Sequence, residues 1–161
     1  MNREIIFRGM RCSLKYKGQE PWVYGYLVES TDSWKGRKPH KSWIISRPYS
    51  NGGWFSLSNR TAVQDETVGQ YTGIKDKNGK MIFEGDLVKY TRYKVRSEYI
   101  KEDVIEDVYV VYWNEKKHAF YCTTKFESGG GASGYLVFHD ERAEKEEIEV
   151  IGNIHEQNYQ L

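Results

Sequence analysis

Residues 34–43 read WKGRKPHKSW, placing Lys35, Arg37, Lys38 and Lys41 between Trp34 and Trp43 with no acid among them. Residues 90–96, YTRYKVR, again interleave cations (Arg92, Lys94 and Arg96) with aromatic rings. Such segments suit nucleic acid, because cations neutralise phosphates while ring faces stack on unpaired bases. Two facts weigh against that reading. The pI is near 7.7, below that of a dedicated binder. The second segment is followed by the acids Glu98, Glu102 and Asp103. A solvated loop is the competing account of the first segment.

Other patterns fail on the context their chemistry needs. Gly129, Gly131 and Gly134 spell GxGxxG. A dinucleotide site requires those glycines between a strand and a helix N-terminus, where amides face the pyrophosphate. Here a strand-like YLVFH (135–139) follows, so the glycines read as a loop between strands. Asp76, Asn78 and Gly79 resemble part of a calcium loop. With Gly79 at loop position six, however, Ile74 and Gly85 fall where carboxylates are needed. His40, His118, His139 and His155 are scattered, without HxH, HExxH or CxxC, so no metal site or cofactor is expected. Cys122 could meet His118 across a turn, or sit as a half-buried strand residue. Glu84 and Asp86, with Asp65 and Glu66 upstream, could divide acid and base roles if burial separated their pKa values. The alternative is that Asp86 serves a turn, accepting a backbone N–H. No catalytic residue is assigned, and a non-enzyme is expected.

The elements that would carry these residues read as short strands. Residues 4–8 and 11–16 flank Gly9 as a bent or paired segment. Residues 22–29, WVYGYLVE, are aromatic and β-branched, with Gly25 a bulge or close-approach point. Residues 42–46 and 54–58 look like strands joined by a turn over 48–53. Asn78-Gly79 is a strong hairpin signal. Residues 87–93 follow as a strand, 94–107 as either a hairpin arm or an excursion, and VYVVYW (108–113) as a central strand. Residues 120–124 return, 127–134 form a loop, 135–139 another strand and 149–154 close the sheet. Residues 140–147 could form the one helix, about two turns long, which is marginal without tertiary support.

Composition agrees. Aromatics make up 15% of 161 residues, with 13 Tyr and 5 Trp, and apolar residues only 39%. That excludes a membrane span, a collagen-like chain and a disulfide framework, and argues against wholesale disorder. Net charge is +1, but residues 1–62 carry 11 Lys/Arg against 4 Asp/Glu, a balance of +7, and the remainder carries −6. Such a dipolar chain could associate with itself. Cys12 and Cys122 do not make a disulfide framework. The opening MNREIIFR has no apolar leader core, so a cytoplasmic protein is expected.

One block is more specific: TVGQYTGIKDKNG at 67–79, then IFEGDLV at 82–88. It resembles the signature of the YopX family, small proteins of bacteriophages, prophages and related elements. REIIFRG at 3–9, WVYGYL at 22–27 and VIGNIHE at 150–156 resemble the family's other blocks, in the family's order. Three departures stand out. Gln64-Asp65-Glu66-Thr67 lacks a proline, His155 stands where tyrosine is usual, and the 92–107 link is long. The resemblance implies a mainly β fold, with a β-rich N-terminal part (1–66), a small SH3-like β-barrel (67–161) and at most one or two short helices. It implies no catalytic residue or cofactor. The expectation is a phage accessory protein that binds an unidentified host or phage protein, with nucleic acid as the alternative partner and a homo-oligomer plausible.

Overall fold

The computed structural model describes residues 4–14, 18–29, 42–46, 60–94, 103–124, 133–135 and 145–156. The expected strands at 54–58 and 136–139, the 48–53 turn and residues 140–144 of the expected helix lie outside those residues. The chain divides into two units, Met1–Gly73 and Ile74–Leu161. The fold is mainly β, in two antiparallel sheets, and no closed barrel is found among the described residues.

The first sheet has the order β4-β3-β2-β1-β5-β6: β1 Phe7–Met10, β2 Trp22–Glu29, β3 Ser42–Ile45, β4 Arg60–Ala62, β5 Gly69–Lys75 and β6 Met81–Phe83. A 3-10 turn over Asp65–Thr67 precedes β5. β2 holds the first unit together by pairing twice. Its first half runs against β1 (Tyr24 opposite Arg8) and its second half against β3 (Tyr26 opposite Ile45). The handover falls at Gly25, where the backbone passes so close to β3 that an added Cβ would collide with the Ile45 carbonyl. Gly25→Ala is therefore expected to cost about 2 kcal/mol or more, since a backbone oxygen cannot repack. An unfolding free energy from urea titration within about 0.5 kcal/mol of the wild type would contradict this. Val23, Ile44 and Val63, with Val68 against them, form this unit's core.

The sequence reads a bent or paired segment around Gly9, and β1 runs through Gly9, which pairs with Val23 of β2. The missing side chain there makes room for Val63. The expected strand at 11–16 is not formed over its described residues: Arg11 makes an isolated bridge to Val63, and residues 12–14 are irregular. The 3-10 turn ties this corner together. Thr67 Oγ1 accepts the Met10 N–H at 2.8 Å, and Asp65 Oδ1 accepts the Ser42 N–H at 3.0 Å.

The second sheet has the order β10-β9-β8-β7-β11: β7 Asp86–Lys94, β8 Asp103–Asn114, β9 Ala119–Thr124, β10 Ser133–Tyr135 and β11 Lys145–Asn153. β8, containing VYVVYW, is central as its composition predicts. Residues 94 and 103–107 extend the β7–β8 hairpin, with Lys94 opposite Asp103. Ser133 and Gly134 belong to β10 rather than to a loop. The helix expected at 140–147 is corrected from Lys145 onward, where Lys145 faces Tyr93 and Glu147 faces Thr91 across β11 and β7. Glutamate and lysine favour a helix locally. Pairing with β7 overrides that preference, because it satisfies the backbone and sends Ile148 and Val150 into the core. That core comprises Ile82, Val88, Tyr90, Tyr109, Val111, Phe120, Cys122 and Val150, with Tyr90 edge-on to Tyr109 at 6.3 Å. Each fully buried aliphatic there contributes about 1.5–3 kcal/mol.

Candidate functional site

The carboxylates of the 67–88 block are engaged by the backbone. Asp76 is 7% exposed. Its Oδ1 accepts the N–H groups of Asn78 (2.8 Å) and Lys80 (2.9 Å), and its Oδ2 accepts the Val150 N–H (3.0 Å). Burial alone would raise its pKa, but those three amides and the Lys80 cation outweigh it and hold the carboxyl below its ordinary value. The pattern that resembles a calcium loop thus closes the Asn78-Gly79 turn and docks it on β11. Lys77 adds to the docking. Its N–H donates to the Ile148 carbonyl, and its ammonium lies 2.8 Å from Glu149 and 3.5 Å from Glu147.

Asp86 is 1% exposed. Its Oδ2 accepts the Phe83 N–H at 2.7 Å, and its Oδ1 accepts Asn153 Nδ2 at 3.5 Å. Asn153 Oδ1 accepts the His155 N–H at 2.9 Å, while the Gly85 N–H donates to Val111 and the Ile154 N–H to Gly85. Glu84 Oε1 accepts the Trp113 N–H at 3.2 Å. Both members of the Glu84/Asp86 pair therefore hold backbone amides, the turn-serving alternative. Asp86 joins EGD to the distant VIGN segment through Asn153. Asn153, set within an otherwise apolar run, was the signal for this contact and was not read as one.

The thiols differ in setting. Cys122 lies in the second core, where burial pushes its pKa up to about 12, so it stays protonated near neutrality. His118 sits in the exposed β8–β9 turn with φ +50°. Cys12 is exposed, though partial burial and then Asp65 and Glu66 raise its pKa as well. Maleimide labelling of the folded protein is expected to modify Cys12 alone, faster at higher pH, with Cys122 reacting only as the chain opens. Comparable rates at both sites would contradict this placement. Among the described residues no group of three or more His, Cys, Asp and Glu is placed to hold a metal ion.

The basic–aromatic segments part company. Trp34, Lys35, Arg37, Lys38, Lys41 and Arg96 lie outside the described residues. Arg92 and Lys94 fall on β7, where the hairpin brings the acids of β8 opposite them. Arg92 is 2.9 Å from Asp107, and neighbouring Lys89 is 3.3 Å from Glu106. Asp107 and Glu106 stand beside Arg92 and Lys89 across the hairpin, which weakens the segment as a phosphate track.

Trp43 has different company. It lies on β3 opposite Val28, on the face of the first sheet away from Val23 and Ile44. The same face carries Arg8 on β1, Trp22, Tyr24 and Tyr26 on β2, Ile45 on β3 and Arg60 on β4. The Arg8 guanidinium stands 4.6 Å over the Trp22 ring, and that of Arg60 stands 4.7 Å over Trp43. Tyr24 is 44% exposed and Tyr26 49%. None of the β1–β4 positions on this face is acidic. The alternation WxYxY was visible in the sequence, but only strand pairing shows which rings and arginines share a face.

A scan against protein-family models matches residues 20–161 to the family described as YopX protein. The chain belongs to the YopX family. No curated protein matches it. The matched range takes in both blocks joined through Asp86 and Asn153, while the opening REIIFRG resemblance lies before it. In this YopX family member the signature residues Asp76, Glu84, Gly85 and Asp86 all make backbone contacts that build the second unit. No helix among the described residues is long and apolar enough to cross a membrane.

Proposed function

We propose that this YopX family member is a non-enzymatic interaction module whose working surface is the aromatic–arginine face of β1–β4. One observation carries the reading: Tyr24 and Tyr26 stand exposed, side by side, between two arginine–tryptophan stacks. Tyr, Trp and Arg are the residues enriched at binding hot spots, because rigid rings give large contact area at small entropic cost. The backbone bonds of Asp76, Glu84 and Asp86 and the high pKa of Cys122 support a non-enzymatic role. The family resemblance supports a phage or prophage accessory protein working in the bacterial cytoplasm. It also supports an SH3-like barrel for residues 67–161. The uneven charge of the chain supports self-association as a further property.

The test is capture from bacterial lysate with the tagged full chain and with Tyr24→Ala/Tyr26→Ala, each in nuclease-treated and untreated halves. Material retained by the wild type is expected to be lost from the variant while its melting temperature stays within a few degrees. Equal retention by both would sink the assignment of this face.

A further inference from the structure

We propose that the occupant of this face is single-stranded nucleic acid, with bases stacked on Tyr24 and Tyr26 and a phosphate held by Arg60. The proposal rests on the reading of β1–β4 as the working surface and names its partner. Three observations carry it.

The first is geometry. Tyr24 and Tyr26 are two residues apart on one strand, so their attachment points are separated by about 6–7 Å. Two exposed rings at that spacing offer successive platforms for two unpaired bases, and stacking of this kind tolerates any base because every base has a π-face. A duplex buries its base faces and offers the rings nothing to stack on.

The second is charge. The positions of β1–β4 on this face include the exposed Arg60, the buried Arg8 and no acid, and residues 1–62 as a whole carry +7. A protein partner would tolerate acids on such a face. A polyanion selects against them. Arg92 and Lys89 on β7 make the contrast, since each faces an acid across the hairpin.

The third is the state of Arg60. Its side chain is exposed, yet its guanidinium carbon stands over the Trp43 ring, 4.7 Å from the centroid. A stacked guanidinium still has its N–H edge to offer a phosphate oxygen, and loses little freedom in doing so.

The experiment is fluorescence anisotropy of the full chain with labelled oligo-dT and oligo-rU of about a dozen nucleotides, over roughly 50–200 mM salt. Binding is expected, with log affinity falling linearly in log salt. Tyr24→Ala/Tyr26→Ala is expected to weaken it at least about tenfold, whereas Tyr24→Phe/Tyr26→Phe keeps the rings and keeps affinity within about threefold. Arg60→Gln is expected to flatten the salt slope by about 0.7, the share of one phosphate on a single strand. A duplex of the same length is expected to bind at least about tenfold more weakly. Absence of binding at the lowest salt overturns the proposal, as does equal affinity for duplex. So does wild-type affinity in a Tyr24→Ala/Tyr26→Ala protein that melts like the wild type. If oligonucleotides fail while nuclease-treated capture still yields a protein that the double alanine variant loses, the proposal falls and the face remains an interaction surface. If capture and oligonucleotide binding both ignore the double variant, both readings fall.

Discussion

Asp76→Asn is expected to lower the unfolding free energy by about 2–4 kcal/mol, although it changes one oxygen to nitrogen. Asp76 accepts three backbone N–H groups through two oxygens, and the one from Val150 is buried in the strand that closes the second sheet. Asparagine keeps one acceptor. Its amide nitrogen must then face either Val150 or the Asn78–Lys80 turn, a donor against a donor. An unpaired buried donor costs about 1–3 kcal/mol, and the turn loses its tie to β11 in the same step. The measurement is the urea midpoint, with an unchanged m-value marking a true stability loss.

The same residue gives a pH signature. Its carboxyl titrates lower in the folded chain than in the unfolded one, where about 3.9 is ordinary. Its contribution is therefore complete above the unfolded value and is lost as pH falls through the folded value. Wild type and Asp76→Asn should differ most near neutrality and converge as the pH drops below about 4. A gap that stays constant from pH 7 to about 3 would show that the charge plays no part.

Asp86→Ala is the second large effect, about 2–5 kcal/mol. The Phe83 N–H and Asn153 Nδ2 lose a common acceptor at a site 1% exposed, and no water-facing route replaces it. Asn153→Ala should cost less, because its remaining partner, the His155 N–H, is only partly buried. The two are coupled, so the double variant should lose less than the two singles together, by more than about 0.5 kcal/mol. Strict additivity would mean that the 3.5 Å contact carries no energy and that each residue acts through other neighbours.

Local patterns exposed much of the fold. Asn78-Gly79 marks its turn by backbone preference, and Gly79 indeed has φ +81°. WVYGYLVE and VYVVYW are strands whose residues suit little else, and both are found where composition puts them. Lys145–Glu147 misled because helix propensity is local, while the pairing with Tyr93 and Thr91 that decides the matter spans about fifty residues of chain. The same limit hid both polar sites. Asp76 meets Val150 across 74 positions and Asp86 meets Asn153 across 67, distances over which spacing carries no signal. The first-sheet face was hidden differently. Tyr24, Tyr26 and Trp43 each sat in a segment correctly read as strand, yet only the registers of β2 with β1 and β3 bring them, Arg8 and Arg60 to one side.

These placements separate a signature that builds the protein from the face proposed as its working surface. The most direct measurement uses three full-length baits side by side: the wild type, Tyr24→Ala/Tyr26→Ala on the sheet face, and Lys75→Gln/Lys77→Gln on the exposed side of the signature. Melting curves confirm that all three are folded. The expected result is that material retained by the wild type is lost from the tyrosine variant and kept by the lysine variant. Loss from the lysine variant with full retention by the tyrosine variant would contradict the account and move the working surface to the signature itself.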